Sequence, residues 1–112
     1  MPKVLIIEDD VDGSRSVEEA VREAGFDTVT AADGRSGVEA FRSDNFDTVL
    51  SDLVLPDIDG IEALKSILNI NPNVPVLIMT AYGTVSSSVN ALKAGAYDYI
   101  LKPLDLDELQ TK

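Results

Sequence analysis

Short apolar runs alternate with segments of helical periodicity along the whole chain, and this alternation limits the fold more than any other feature. Four runs are continuously apolar rather than alternating in polarity, at residues 4–7, 48–50, 76–79 and 99–101. Continuous apolarity is typical of strands buried on both faces of a parallel sheet. A fifth run, Phe26 to Ala31, mixes Asp and Thr with Val and predicts an edge strand.

The segments between these runs place apolar residues on one face of a helix. The stripes comprise Val17, Ala20, Val21 and Ala24 in the first helix, Gly37, Ala40 and Phe41 in the second, Ile61, Leu64 and Leu68 in the third, and Val85, Val89, Leu92 and Ala96 in the fourth. Gly25 and Gly95 follow stripes and suit left-handed C-terminal caps, while Asn71-Pro72 ends the third helix. Asp105 and Glu108 resemble a capping box for a fifth helix.

Five strands that alternate with five helices predict an α/β fold, with a parallel sheet, right-handed crossovers and helices on both faces. The connections are short and no linker interrupts them, so residues 1–112 are expected to form one domain. The fifth helix, Asp105 to Lys112, has only eight residues, and we expect it to be truncated.

The charge and residue usage exclude several classes of function. Nine Lys and Arg against 20 Asp and Glu give a net charge of −11, which argues against nucleic-acid binding by this domain. The absence of Cys and His excludes disulfides, thiolate nucleophiles and imidazole bases. No apolar run approaches the ~18 residues of a membrane span, and the four apolar residues after Lys3 are too few for a signal peptide. We therefore expect a cytoplasmic protein without membrane contact.

Polar residues follow the apolar runs where parallel strands would end at one edge of the sheet. They are Glu8-Asp9-Asp10 after the first run, Ser51-Asp52 after the third, Thr80 after the fourth and Lys102 after the fifth. Ligands of open α/β sheets bind at this edge. Crowded carboxylates repel each other unless a cation neutralises them, and hard oxygen ligands favour Mg²⁺. A cation, an ammonium group and a hydroxyl around one carboxylate could stabilise phosphoryl transfer to it.

Several sequence motifs along the chain resemble those of a known family. Residues 4–10, Ser51-Asp52 with Leu55-Pro56 and Gly60, Met79-Thr80-Ala81, and Tyr99-Ile100-Leu101-Lys102-Pro103 resemble the receiver domain of bacterial two-component response regulators. Residues 81–85, 94–99 and 104–109 are similar more specifically to receivers of NtrC-type transcriptional activators. The resemblance implies a doubly wound, CheY-like sheet with strand order 2-1-3-4-5.

The resemblance also implies a role for individual residues. Asp52 is expected to accept a phosphoryl group from a histidine kinase, in the presence of Mg²⁺ held by Glu8, Asp9, Asp52 and the backbone carbonyl of Val54. Thr80 and Lys102 are expected to contact the phosphoryl group, and Tyr99 to act as the switch aromatic that turns inward when Thr80 moves.

By the same resemblance, phosphorylation changes the surface formed by the fourth helix and fifth strand to control a downstream output such as transcription. A homodimer through that surface is also compatible with the family. The kinase is expected to dock on the first helix around Ser14 and Val17 and on the loop at Pro103-Leu104. The domain is not expected to be an enzyme that turns over an independent substrate.

Two functions of other classes fit parts of the sequence. Glu8, Asp10, Asp12, Gly13 and Glu19 approximate the spacing of a calcium-binding EF-hand loop, although a strand pattern rather than a helix precedes them. A flavodoxin-like binding protein would share the fold, but Glu8-Asp9-Asp10 would repel the flavin phosphate. Either alternative would be a binding module that is not phosphorylated.

Overall fold

The computed structural model describes residues 2–80 and 85–101, and strands alternate with helices throughout them. The elements are β1 (Lys3–Ile7), α1 (Val11–Glu23), β2 (Asp27–Ala31), α2 (Gly34–Ser43), β3 (Thr48–Asp52), α3 (Gly60–Ile70), β4 (Val76–Thr80), α4 (Val85–Lys93) and β5 (Asp98–Leu101). All five predicted strands are confirmed to within two residues. The predicted fifth helix, with its Asp105 and Glu108 capping box, lies outside the described residues.

The five strands form one parallel sheet in the order β2-β1-β3-β4-β5, which confirms the doubly wound class. β2 is an edge strand, as its mixed polarity predicted. β1 pairs with β2 on one side and β3 on the other, so the strand order reverses at β1. No helix among the described elements is long and apolar enough to cross a membrane.

The sheet has a core on each face because successive side chains of a strand point to opposite sides. Leu5 and Ile7 of β1 face a cluster that includes residues of α2, α3 and α4, while Val4 and Ile6 face a second cluster that contains Val17 of α1. Burying each such side chain contributes about 1.5–3 kcal/mol. A strand with both faces covered must be continuously apolar, which is the pattern that β1 shows.

The helix ends are fixed by local side-chain and backbone chemistry. The Asp33 carboxylate accepts a hydrogen bond from the Ser36 N–H at the start of α2 (2.7 Å), and Asp59 does the same for the Ile61 N–H of α3 (2.8 Å). After α1 and α4 the chain turns through Gly25 and Gly95 with φ of +96° and +109°, which confirms both predicted left-handed caps.

The apolar face predicted for α4 is only partly confirmed. Ala96 is buried as predicted, but Val89 and Leu92 are 40% and 48% exposed, and Ala91, outside the predicted stripe, is fully buried. The error arose because large side chains dominate an apolar pattern, although the face of a helix that lies closest to a sheet often carries small residues. The stripes predicted for α1, α2 and α3 each contain buried residues that face the core.

This difference between α3 and α4 can be tested with one substitution made at two sites. Leu64→Ala on α3 removes a fully buried side chain and should lower the free energy of unfolding by about 2–5 kcal/mol. Leu92→Ala on α4 should change it by no more than about 0.5 kcal/mol, because Leu92 is half exposed. Urea denaturation of both variants measures the two values, and equal losses would contradict the assignment of the α4 face.

Candidate functional site

Three carboxylates meet at the carboxyl edge of the sheet, where β1 and β3 end. Glu8, Asp9 and Asp52 each offer an oxygen, and these oxygens lie within 4.8 Å of one another. The strand register produces this arrangement: Ile7 pairs with Ser51, so the next residues, Glu8 and Asp52, are neighbours. Glu8 and Asp52 are buried and Asp9 is exposed. The predicted convergence of these acids is therefore present, and it lies at the point where the strand order reverses.

The donor set fits a small divalent cation. Mg²⁺ holds oxygen ligands at about 2.0–2.1 Å, so oxygens around it lie roughly 3–4 Å apart, which side-chain oxygens already within 4.8 Å can reach by small rotations. Two buried carboxylates beside a third repel one another strongly where water is scarce. A cation bound between them would remove that repulsion, while the exposed side at Asp9 would leave the cation accessible to water.

The loop between β3 and α3, residues 53–59, folds back over the end of β3. The Val54 N–H donates to Oδ1 of Asp52 at 3.3 Å, and the Gly60 N–H donates to the Leu53 carbonyl at 2.9 Å. A Cβ atom at Gly60 would lie 2.5 Å from the carbonyl oxygens of both Asp52 and Leu53, so only glycine allows this approach. The backbone of Val54, predicted to supply a carbonyl ligand, is thus held beside the Asp52 carboxylate.

Of the other predicted site residues, the structure describes Thr80 and Tyr99 but not Lys102. Thr80 ends β4 and is buried; because Asp52 pairs with Met79, Thr80 lies one residue further along the neighbouring strand. Tyr99 lies on β5, opposite Ile78 and partly buried against the core. Lys102 lies outside the described residues, as do Pro103 and Leu104 of the expected docking loop.

A cleft of about 240 Å³ opens beside the acidic site, between the start of α1 and the end of β2. Its walls include Glu8, Asp9, Val11, Ser14, Arg15, Glu18, Thr30, Ala31 and Ala32. Ser14, expected at a docking surface, lines this cleft. Val17 does not, because it is only 4% exposed and belongs to the core beneath α1. The expectation that Val17 forms a docking surface is wrong, since that side of the helix faces the sheet.

Asp57, whose role was not predicted from the sequence, connects the 53–59 loop to α2. Its Oδ1 accepts from the Gly34 N–H at 2.8 Å and its Oδ2 from the Arg35 N–H at 2.9 Å. Desolvation raises the pKa of Asp57, whereas hydrogen bonds from the Arg35 and Gly34 backbone lower it. The hydrogen bonds have the larger combined effect, so the pKa of the carboxyl lies below its ordinary value. The sequence motif Asp57-Ile58-Asp59-Gly60 indicates a loop before a helix, but nothing in it shows that Asp57 reaches a different helix.

The calcium-loop alternative is wrong. α1 begins at Val11, so Asp12, Gly13 and Glu19 lie on a helix and cannot form a twelve-residue loop around one ion. The element before Glu8 is strand β1, where an EF-hand requires a helix. Glu8 and Asp10 consequently have different environments: Glu8 belongs to the three-carboxylate cluster and Asp10 lies outside it, at the N-terminus of α1.

The sheet order and the acidic site at its switch point define a CheY-like receiver. The model of the response regulator receiver domain family matches residues 4–112, and the chain belongs to that family. It is 44% identical over 107 residues to the transcriptional regulatory protein ZraR of Klebsiella oxytoca and 41% identical to the regulatory protein AtoC of Escherichia coli K12. These matches cover 96% of this chain but 24% and 23% of the relatives, so the chain spans about a quarter of their length. ZraR and AtoC are NtrC-type activators, so this receiver resembles those of the NtrC type, as the motifs indicated.

Solved structures agree with this family assignment. A chain in the CheX–CheY–BeF₃–Mg²⁺ complex of Borrelia burgdorferi is 31% identical with a TM-score of 0.93, over 98% of this chain and 84% of that chain. The CheY-like receiver domain protein of Methanospirillum hungatei JF-1 is 29% identical, also with a TM-score of 0.93, over 99% and 89% of the two chains.

Removing one carboxylate of the cluster should weaken Mg²⁺ binding. Asp9→Asn takes away a charged oxygen donor, and we expect the dissociation constant measured by calorimetry to rise at least ~10-fold, the lower limit seen when metal sites lose an orienting partner. Asp10→Asn removes the same charge one residue away, outside the cluster, and should change the constant by less than about twofold. Equal weakening in both variants would contradict the site.

The contact between Asp57 and α2 should make stability depend on pH in acid. Because folding lowers the Asp57 pKa below 3.8, its contribution to stability is fully present above that pH and is lost as pH falls through the folded-state pKa. The difference in unfolding free energy between wild type and Asp57→Asn should therefore shrink from pH 6 to pH 3. Urea denaturation at several pH values measures it; a difference that is independent of pH would contradict the prediction.

Proposed function

We propose that this domain is a phosphorylation-dependent switch in which Asp52 accepts a phosphoryl group from a histidine kinase. The observation that carries the proposal is the cluster of Glu8, Asp9 and Asp52 at the switch point of the sheet. Three carboxylates this close together are a poor structural element, because their charges repel each other. The same arrangement is useful for phosphoryl transfer, where the protein must position an acceptor oxygen and neutralise the phosphoryl oxygens.

Each residue of the site has a proposed part in this reaction. Glu8, Asp9, Asp52 and the Val54 carbonyl would hold Mg²⁺, which when bound supplies positive charge to the phosphoryl oxygens. An Asp52 carboxylate oxygen attacks phosphorus, forming the O–P bond while the bond from phosphorus to the donor histidine nitrogen breaks and its electron pair stays on that nitrogen. The Val54 N–H, at 3.3 Å from Oδ1 of Asp52, orients the acceptor carboxylate.

The phosphorylated aspartate carries more charge, and Thr80 and Lys102 are proposed to respond to it. Phosphorylation adds about −1.5 to −2 charge and three acceptor oxygens. The Thr80 hydroxyl at the end of β4 and the Lys102 ammonium after β5 would move toward these oxygens. Tyr99 on β5 would then turn inward into the space that Thr80 leaves, which changes the surface of α4 and β5.

The surface proposed to transmit this change is apolar. Val89 and Leu92 of α4 and Tyr97 just before β5 are 40%, 48% and 63% exposed. Large exposed apolar side chains are more frequent at sites that bind another protein than elsewhere on a surface. We propose that this surface controls a downstream output, such as transcription in ZraR and AtoC, and that it can also form a homodimer.

The proposal extends to partners and domain limits. The histidine kinase would dock at the cleft beside the acidic site, around Ser14, where the donor could approach Asp52. Residues 1–112 would form one receiver domain, act in the cytoplasm, and contact neither nucleic acid nor membrane. The domain would promote its own phosphorylation and dephosphorylation without turning over an independent substrate.

Intact-mass measurement after incubation with acetyl phosphate and Mg²⁺ tests the acceptor. Wild type should gain one phosphoryl group, and the gain should disappear when EDTA replaces Mg²⁺ or when Asp52 is changed to Asn. Asp10→Asn is the matched control, since it removes an identical charge near the site but outside the cluster, and it should be phosphorylated like wild type.

If wild type gains no phosphoryl group from acetyl phosphate, one further measurement is needed. Beryllofluoride mimics a phosphoryl group, and if it binds with Mg²⁺ in wild type but not in Asp52→Asn, the acceptor site is functional and phosphorylation depends on the kinase. If neither acetyl phosphate nor beryllofluoride modifies or binds the protein, the domain is a binding module that does not use phosphorylation, and the proposal is wrong.

A further inference from the structure

We propose that Asp57 is a positioning residue for the phosphoacceptor site: by binding the N-terminus of α2, it holds the 53–59 loop so that the Val54 backbone stays beside Asp52. The inference rests on the proposed function in one respect, since it takes the Val54 carbonyl as a ligand of Mg²⁺. Asp57 itself lies at the outer end of the loop, and its carboxylate bonds are made to α2.

The first turn of α2 provides the anchor. The first intrahelical hydrogen bond of α2 runs from the Gly37 N–H to the Asp33 carbonyl, so the N–H groups of residues 34–36 need acceptors from elsewhere. Asp57 accepts from Gly34 and Arg35 with its two oxygens, and Asp33 accepts from Ser36. A carboxylate at this position also interacts favourably with the helix dipole. Asp57 thus makes two charge-assisted bonds to a rigid element.

A close packing contact accompanies these hydrogen bonds. Ile58 lies directly against Gly34, where an added Cβ would come within 2.3 Å of Cγ1 of Ile58. Only a residue without a side chain lets the loop approach α2 so closely. The loop is therefore fixed to α2 by two different interactions, one polar and one steric, at adjacent positions.

These contacts fix the loop at the end opposite to the strand. At its base, the Leu53 N–H bonds to the Met79 carbonyl and the Leu53 carbonyl accepts from Gly60, which closes residues 53–60 into a ring. Val54 lies between this base and the outer end that Asp57 holds. If the outer end were released, the base would remain closed, but the peptide of Val54 could rotate away from Asp52, to which it now donates at 3.3 Å.

Asp57→Ala and Gly34→Ala test the proposal from the two sides of the contact, with Asp33→Ala as the matched control. Asp33→Ala removes a cap from the same helix without touching the loop. Two properties are measured in each variant: the NMR order parameter of the Val54 amide without metal, and the Mg²⁺ dissociation constant. Thermal unfolding monitored by circular dichroism identifies any variant that does not fold.

In Asp57→Ala and Gly34→Ala, the Val54 order parameter should fall from about 0.85 to below about 0.6, and the dissociation constant should rise about 10-fold. Asp33→Ala should keep the Val54 order parameter near about 0.85 and the dissociation constant within about twofold of wild type, although its helix is destabilised. Asp57→Asn, which keeps one acceptor oxygen, should give intermediate values. Unchanged properties in Asp57→Ala, or an equal loss in Asp33→Ala, would overturn the proposal.

The test of the Asp57 role and the test of the proposed function can fail independently of each other. If wild type binds Mg²⁺ but accepts no phosphoryl group and no beryllofluoride, the proposed function fails, while the order parameter and the dissociation constant still decide the role of Asp57. If Asp52 is phosphorylated normally in Asp57→Ala with an unchanged Mg²⁺ affinity, the switch function stands and the positioning role is overturned.

Discussion

The pairing of β1 with β2 on one side and with β3 on the other is the constraint on which the rest of the molecule depends. It places β1 inside the sheet, where helices cover both faces, so the four apolar residues of β1 contribute to both cores. It also creates the point where the strand order reverses, which leaves an opening between the connections that follow β1 and β3. Glu8 and Asp52 come directly after the paired residues Ile7 and Ser51, so the same strand register that builds the core brings the two carboxylates together.

The acidic residues around this opening fall into two groups that differ in their partners. Asp33, Asp57 and Asp59 accept hydrogen bonds from backbone N–H groups at helix N-termini, where the helix dipole favours a negative charge. Glu8, Asp9 and Asp52 lie close to one another, where each charge destabilises the next, although Asp52 also accepts a hydrogen bond from the Val54 N–H. Acids of the first group hold the helices and loops in place, and those of the second form a site that favours a cation.

Individual residues show how far the sequence could predict the site. Glu8, Asp9, Asp52 and Thr80 were predicted because each lies within two residues of the end of an apolar run, and a parallel sheet brings all such positions to one edge. Their roles came from the family resemblance and remain predictions, as does that of Lys102. Asp57 was not predicted because its partners are more than twenty residues away and bind through the backbone, which carries no sequence signal. Val17 was assigned to a surface although its stripe with Val21 already placed it in the core.

The sequence by itself determined the order and type of the elements, the strand ends that carry acids, and the glycine-terminated helices, because these depend on the polarity pattern and the backbone preferences of neighbouring residues. Only the tertiary structure decided which face of α4 is buried, where Ala91 rather than Leu92 meets the core, because the depth of packing depends on the distance between helix and sheet. It also decided how the 53–59 loop lies over Asp52, since that conformation is set by the close approach of Ile58 to Gly34 and by the bonds of Asp57 to α2. Contacts between segments distant in the chain arise when the elements pack together, and no local pattern encodes them.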